Sequence, residues 1–315
     1  MTGRTWALLL ALSLLWGCSF PFVKVAVAGV PPMTLVFARV TIAALVLAPV
    51  AILARQSLPL NWPMWRAFFA MAFLNNVLPW SLSFWAQQFV PSSLAAILNA
   101  STPLCSVVVG HFYLADERLK ANRLAGVVVG FVGVAVLIGP NALFGGGGPQ
   151  LLAELALLAA AVSYAFSGVV GRRFAGFGVT ALQSALGQMT AASVLIAPLA
   201  LVAERPWAVA APTFGQIEAT LGLAVLSTAA AYLLFFRILA RAGATNVMLV
   251  TLLVPPTAIF VGSVFLGERI EPRALAGLAF IAAGLGLIDG RLLQAARDRR
   301  SARRAAENRP AREAD

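Results

Sequence analysis

Apolar residues fill ten long stretches of this chain, and polar residues crowd the gaps between them. The stretches are 5–28, 32–54, 63–87, 92–115, 121–139, 150–171, 177–203, 216–240, 244–266 and 271–290. Each is close to the roughly 20 apolar residues that an α-helix needs to cross a hydrocarbon layer. The gaps carry turn and charge signals: GVPP at 29–32, FVPSS at 89–93, ADERLKANR at 115–123, GGGG at 145–148, ERP at 204–206 and GERIEPR at 267–273. The pattern predicts an all-α integral membrane protein with ten transmembrane helices. The first stretch has the outline of a signal peptide. It runs on past Trp16 without a small-residue cleavage site, and so reads as an uncleaved span.

The pattern is written twice. An offset of 152 places Leu74 on Leu226, Leu82 on Leu234, Phe84 on Phe236, Pro103 on Pro255 and Gly110 on Gly262. Residues 1–140 form one repeat and 149–290 the second. The glycine-rich loop 141–148 joins them, and a basic tail, 291–315, follows. Five spans per repeat is an odd number, so the second repeat enters the membrane in the opposite sense. The expected architecture is two inverted five-helix repeats, an arrangement that transporters use to expose a central site to each face in turn.

Composition agrees with lipid as the solvent. Hydrophobic residues make up 60% of the chain and charged residues 11%, against about 25% charged in soluble domains. Cys18 and Cys105 lie in apolar runs and read as packing residues, with neither a disulfide framework nor metal-ligand spacing. The net charge of +11 is unevenly placed. With the amino terminus in the cytoplasm, eighteen of the 23 Lys and Arg residues fall on the cytoplasmic side. Only Arg205, Arg269 and Arg273 fall on the other. This asymmetry predicts a bacterial-type cytoplasmic (inner) membrane protein with both termini inside. The tail has no aromatic residue among its arginines, so it reads as a solvated arm beside anionic lipid and not as a nucleic-acid binder.

Several motifs resemble a known family. Residues 16–49, WGCSFPFVKVAVAGVPPMTLVFARVTIAALVLAP, look like the opening of an EamA domain. The closing pattern occurs twice: at 93–139, with STP, ADERL and a glycine-rich helix, and at 245–290, with VPP, GERI and LAGLAFIAAGLGLIDG. Residues 5–290 therefore resemble the ten-span exporters of the drug/metabolite transporter superfamily, and more loosely its aromatic amino-acid exporters. The resemblance implies export of small metabolites, often amino acids, without an ATPase domain or cofactor. The second copy departs from the opening motif. With an offset of 149, Gln188 stands where the first copy has Arg39.

Polar and ionisable residues inside a membrane need partners or solvent, and mark candidate sites. The third span carries Asn75, Asn76 and Trp80, and the matching stretch of the eighth carries Ser227, Thr228 and Tyr232. Asn99 lies in the fourth span, and Trp16 and Tyr164 near the middles of the first and sixth. Trp16, Asn75, Asn76, Trp80, Asn99, Tyr164, Gln188, Thr228 and Tyr232 form the candidate substrate pocket. Plain interhelical packing of the aromatic rings is the competing reading. Lys24 and Arg39 are candidates for attracting a substrate carboxylate. Snorkelling of Lys24 and structural bonding of Arg39 to helix ends are the alternatives. Pro103 and Pro255 each deny a helix one donor and mark a candidate hinge pair, against a packed kink at each. The glycine faces 126/130/133 and 277/284/286 suit either packing within the bundle or dimerisation, so a monomer or a homodimer is expected.

Other classes fit poorly. One histidine, His111, no clustered carboxylates and no phosphate-binding loop argue against an enzyme and against a bound metal. A channel would need a filter or a symmetric pore. The expected function is secondary export of a small molecule, most of all an amino acid with an aromatic or other apolar side chain. A lipid-carrier flippase or nucleotide-sugar transporter of the same superfamily is the alternative. The expected partners are the solute and the lipid bilayer.

Overall fold

A computed structural model describes residues 3–59, 61–139, 148–174, 178–242 and 249–289. Most of the joining loop at 141–148 and the whole 291–315 tail lie outside the described residues. The chain is an all-α integral membrane protein. We number its spans α1 (Gly3–Ala26), α2 (Pro32–Leu53), α3 (Trp62–Ala86), α4 (Ser92–Tyr113), α5 (Ala121–Ile138), α6 (Pro149–Phe174), α7 (Ala181–Ala208), α8 (Phe214–Leu239), α9 (Leu249–Leu266) and α10 (Pro272–Asp289). Among the described residues nine helices are long and apolar enough to cross a membrane, and Val250–Leu266 is a shorter apolar one.

The helix ends follow local chemistry. Proline opens α2, at Pro32, where its missing N–H costs no intrahelical bond. Asn61 caps α3 by accepting the Met64 amide at 2.9 Å. Thr180 with Gln183, and Thr213 with Gln216, form reciprocal capping boxes at the starts of α7 and α8.

The packing repeats when each helix is exchanged for its counterpart five further on. α1 packs on α9 as α6 packs on α4; α1 meets α8 as α6 meets α3; α2 meets α8 as α7 meets α3. The pairs α2–α7, α4–α9 and α5–α10 map onto themselves. The glycines of α5 and α10 are consumed by one of these self-mapped contacts. A Cβ on Gly126 would lie 2.5 Å from the Gly284 carbonyl, and one on Gly133 2.7 Å from the Gly277 carbonyl. These faces are packed inside the bundle.

Several spans are irregular. α1 breaks at Cys18, beside its crossing with α9, where a Cβ on Gly17 would lie 2.6 Å from Thr257. α4 breaks at Ala100–Ser101, just before Pro103. α9 runs unbroken through Pro255. Among the described residues three spans contain π-helical turns: α3 at Phe73–Val77, α7 at Leu199–Glu204 and α8 at Gly222–Ala230. In the 152 register the α3 turn falls within the α8 turn. A π turn widens the helix and leaves backbone groups out of the usual i→i+4 ladder, a feature common at functional sites.

Candidate functional site

Arg39 connects the π turn of α8, through Thr228, to the stretch of α3 that follows its own π turn, at Trp80 and Phe84. Arg39 comes from α2 and is 7% exposed. Its Nε donates to Thr228 Oγ1 of α8 at 2.8 Å. The Thr228 hydroxyl in turn donates to the Leu223 carbonyl, five residues back, at 2.8 Å. The π turn thus supplies the acceptor that fixes the hydroxyl, and the hydroxyl fixes the guanidinium. The guanidinium carbon sits 3.6 Å above the centre of the Trp80 ring and 5.7 Å from that of Phe84, both on α3. Stacking on an indole face suits the planar, weakly hydrated arginine head. Among the described residues no carboxylate pairs with Arg39.

The amides of α3 reach the other side of this centre. Asn75 and Asn76 both donate through Nδ2 to the Tyr232 hydroxyl, at 3.2 and 3.4 Å. Tyr164 and Tyr232 pack against the core cluster that contains Trp80. Two serines missing from the sequence-based set complete the network. Ser163 Oγ donates to the Leu74 carbonyl at 2.7 Å, and Ser167 Oγ lies 3.2 Å from Asn75 Oδ1. They flank Tyr164 at an i, i+4 spacing, the one signal in the sequence that points to them. Opposite them, Ser227 of α8 donates to the Leu15 carbonyl of α1 at 2.6 Å.

Arg39, Asn75, Asn76, Trp80, Tyr164, Thr228 and Tyr232 are therefore together. Asn76 Oδ1 is fully buried and unpartnered in this arrangement. A buried acceptor without a donor favours a ligand that brings one. The remaining candidates lie apart. Trp16 packs on Phe235, with ring centres 5.5 Å apart, in the α1–α8–α9 cluster. Gln188 is buried in α7, donates to Ser184 Oγ at 2.9 Å and keeps an unpartnered Oε1. Asn99 is half-buried just before the α4 break, and its carbonyl accepts from Thr102. Lys24 sits at the arginine-poor end of the bundle, where its Nζ donates to the Gln87 and Val90 carbonyls at 2.7 and 2.9 Å. His111 lies at the arginine-rich end, accepting the Leu119 amide at 3.2 Å. Glu154, in the outer turn of α6, is buried and receives Gln150 Nε2 at 3.3 Å. Among the described residues no cluster of His, Cys, Asp or Glu has the makings of a metal site.

The same double organisation appears in comparison with known proteins. The EamA-like transporter family matches residues 3–139 and again 151–288, so this chain belongs to that family. An uncharacterized transporter, YvbV of Bacillus subtilis (strain 168), is 29% identical over 286 residues, 91% of this chain and 92% of its own length. A probable terminal-alkyne amino-acid exporter of Streptantibioticus cattleyicolor is 28% identical over 301 residues, covering 93% and 95%. A probable amino-acid metabolite efflux pump of Escherichia coli (strain K12) is 25% identical over 296 residues, covering 90% and 94%. A solved crystal structure shares the fold at a TM-score of 0.65 and 22% identity, covering 91% of this chain and 96% of the other. The protein is thus a multi-pass membrane transporter.

Proposed function

We propose that this protein exports small metabolites, and amino acids with aromatic or other apolar side chains above all, by alternating access around the Arg39-centred pocket. One observation carries the reading: a buried guanidinium with no described carboxylate, held by Thr228 and stacked on Trp80. A buried cation in this condition favours an anionic group on the ligand. The indole, the two tyrosines and the two asparagines offer ring faces and neutral hydrogen-bonding groups around it. Such a lining accepts a zwitterion with an apolar side chain. The names of the Streptantibioticus and Escherichia relatives support the same solute class.

The loop charges support a cytoplasmic position for the arginine-rich face, with both termini on that side. Export then runs from that face to the arginine-poor one. Purified protein in liposomes should exchange radiolabelled aromatic and aliphatic amino acids by counterflow. Absence of exchange for every small solute sinks the exporter reading, and movement of a labelled lipid carrier alone would favour a flippase. Arg39→Gln, inserted at normal levels, should lose most of the exchange. Unchanged exchange would remove Arg39 from the pocket.

A further inference from the structure

The turn between α3 and α4 at the arginine-poor face is held from both sides by opposite charges. Lys24 of α1 donates to the carbonyls of Gln87 and Val90, just past the end of α3. Glu268, in the loop between α9 and α10, accepts the Ser92 amide at 2.7 Å and the Ser93 amide at 3.0 Å, the first two of α4. Each charge meets the end of a helix whose dipole attracts it. The carboxylate is seated by glycine: a Cβ on Gly262 would lie 2.7 Å from Glu268 Oε2. Lys24 belongs to the first repeat and Glu268 to the second, so the turn ties the repeats together.

The same parts recur at the opposite face. Glu117 lies over Gly110, where a Cβ would be 2.6 Å from its Oε2. Gly110 and Gly262 are repeat mates, and Glu117 falls one residue from the register of Glu268. Arg172 stands near the end of α6, the span that corresponds to α1. Here the charges hold each other: Arg172 donates to Glu117 and to Asp116, the latter at 2.8 Å. One cation–carboxylate device is thus present twice in two different engagements. At one face it grips a helix turn, and at the other its charges are joined.

We propose that Lys24 and Glu268 form a gate latch at the arginine-poor face, which releases the 87–93 turn whenever the pocket opens to that side. The inference rests on the alternating-access reading above. Neutralising either charge leaves helix-end groups without a partner and shifts the population toward the opened state.

The test reads accessibility and not transport, so it stands apart from the identity of the solute. In the full chain with Cys18 and Cys105 replaced by alanine, Asn75→Cys places a thiol in the pocket. Intact cells are treated with a membrane-impermeant maleimide, and labelling is normalised to the amount of inserted protein. Adding Glu268→Gln should raise the labelling rate about fivefold or more, and Lys24→Gln should act in the same direction. Glu271→Gln, which removes a carboxylate three residues away, should leave the rate unchanged. Equal labelling with and without Glu268→Gln and Lys24→Gln would overturn the latch. So would an equal rise with Glu271→Gln. If the latch variants behave as expected while the parent exchanges no solute in liposomes, the gate stands and the amino-acid reading falls.

Discussion

Arg39 and Thr228 join the two repeats through a 2.8 Å hydrogen bond at the centre of the bundle. Both are buried, and Thr228 is fully so. Thr228→Val keeps the shape but leaves Arg39 Nε without its acceptor, and an unmet buried donor costs about 1–3 kcal/mol. The variant should melt earlier in detergent than the parent, and Thr228→Ser should recover most of the loss. A Thr228→Val variant as stable as the parent would show that the bond contributes nothing to the fold.

The serine-to-carbonyl bonds at the π turns predict a paired effect. Ser163 binds the Leu74 carbonyl of α3, and Ser227 binds the Leu15 carbonyl of α1. Each substitution to alanine should cost about 1 kcal/mol, the net worth of an ordinary hydrogen bond. The two sites share no bond, so their effects should add in the double variant. Thermal unfolding of the three variants measures this.

The α5–α10 contact predicts sharp position dependence. Gly133→Leu would drive a side chain into the Gly277 carbonyl and the backbone at Ile281. Overpacking of this kind costs about 1–3 kcal/mol or more where the neighbour is backbone and has nowhere to go. Val132→Leu, one residue away on an exposed face, should be tolerated. The yield of monodisperse protein after solubilisation distinguishes the two.

The Arg172–Asp116 pair predicts a pH effect with a definite sign. Hydrogen bonding from Arg172 holds the Asp116 carboxyl below its ordinary value of 3.8. A depressed pKa contributes stability that is present above that ordinary value and is lost as pH falls through the lowered one. Asp116 is fully exposed, so the effect is small and is screened by salt. Asp116→Asn should therefore differ slightly from the parent in melting temperature at pH 7 and low salt. The difference should close in strong acid or at 1 M salt.

Much of the fold can be read from hydropathy alone, because lipid demands a long apolar helix at every crossing and polar groups at every exit. Residues 32–54 are expected as a span and α2 runs Pro32–Leu53; residues 92–115 are expected and α4 runs Ser92–Tyr113. The polar cluster around Arg39 is legible where both repeats put polar residues at matching positions, as Asn76 and Thr228 do in the 152 register. Long-range partnerships are not. Glu204 accepts the Met33 and Thr34 amides, and Glu268 those of Ser92 and Ser93, across 170 or more residues of chain. In sequence both look like ordinary loop carboxylates. Pro103 and Pro255 are equivalent in the repeat, yet α4 breaks beside the first and α9 runs through the second. The neighbours decide that outcome, and a single helix does not encode it.

Each π turn inserts an extra residue, which rotates whatever follows by about 100° relative to an unbroken α-helix. Before its turn, α3 packs Phe68 against Gly187 of α7; after it, the same helix presents Trp80 and Phe84 to Arg39. Before its turn is complete, α8 lays Gly222 on Phe22 of α1; after it, Tyr232 meets the asparagines. One rod thereby addresses two different neighbours. The extra residue acts as a steering joint that divides each of these helices into a half that anchors and a half that aims.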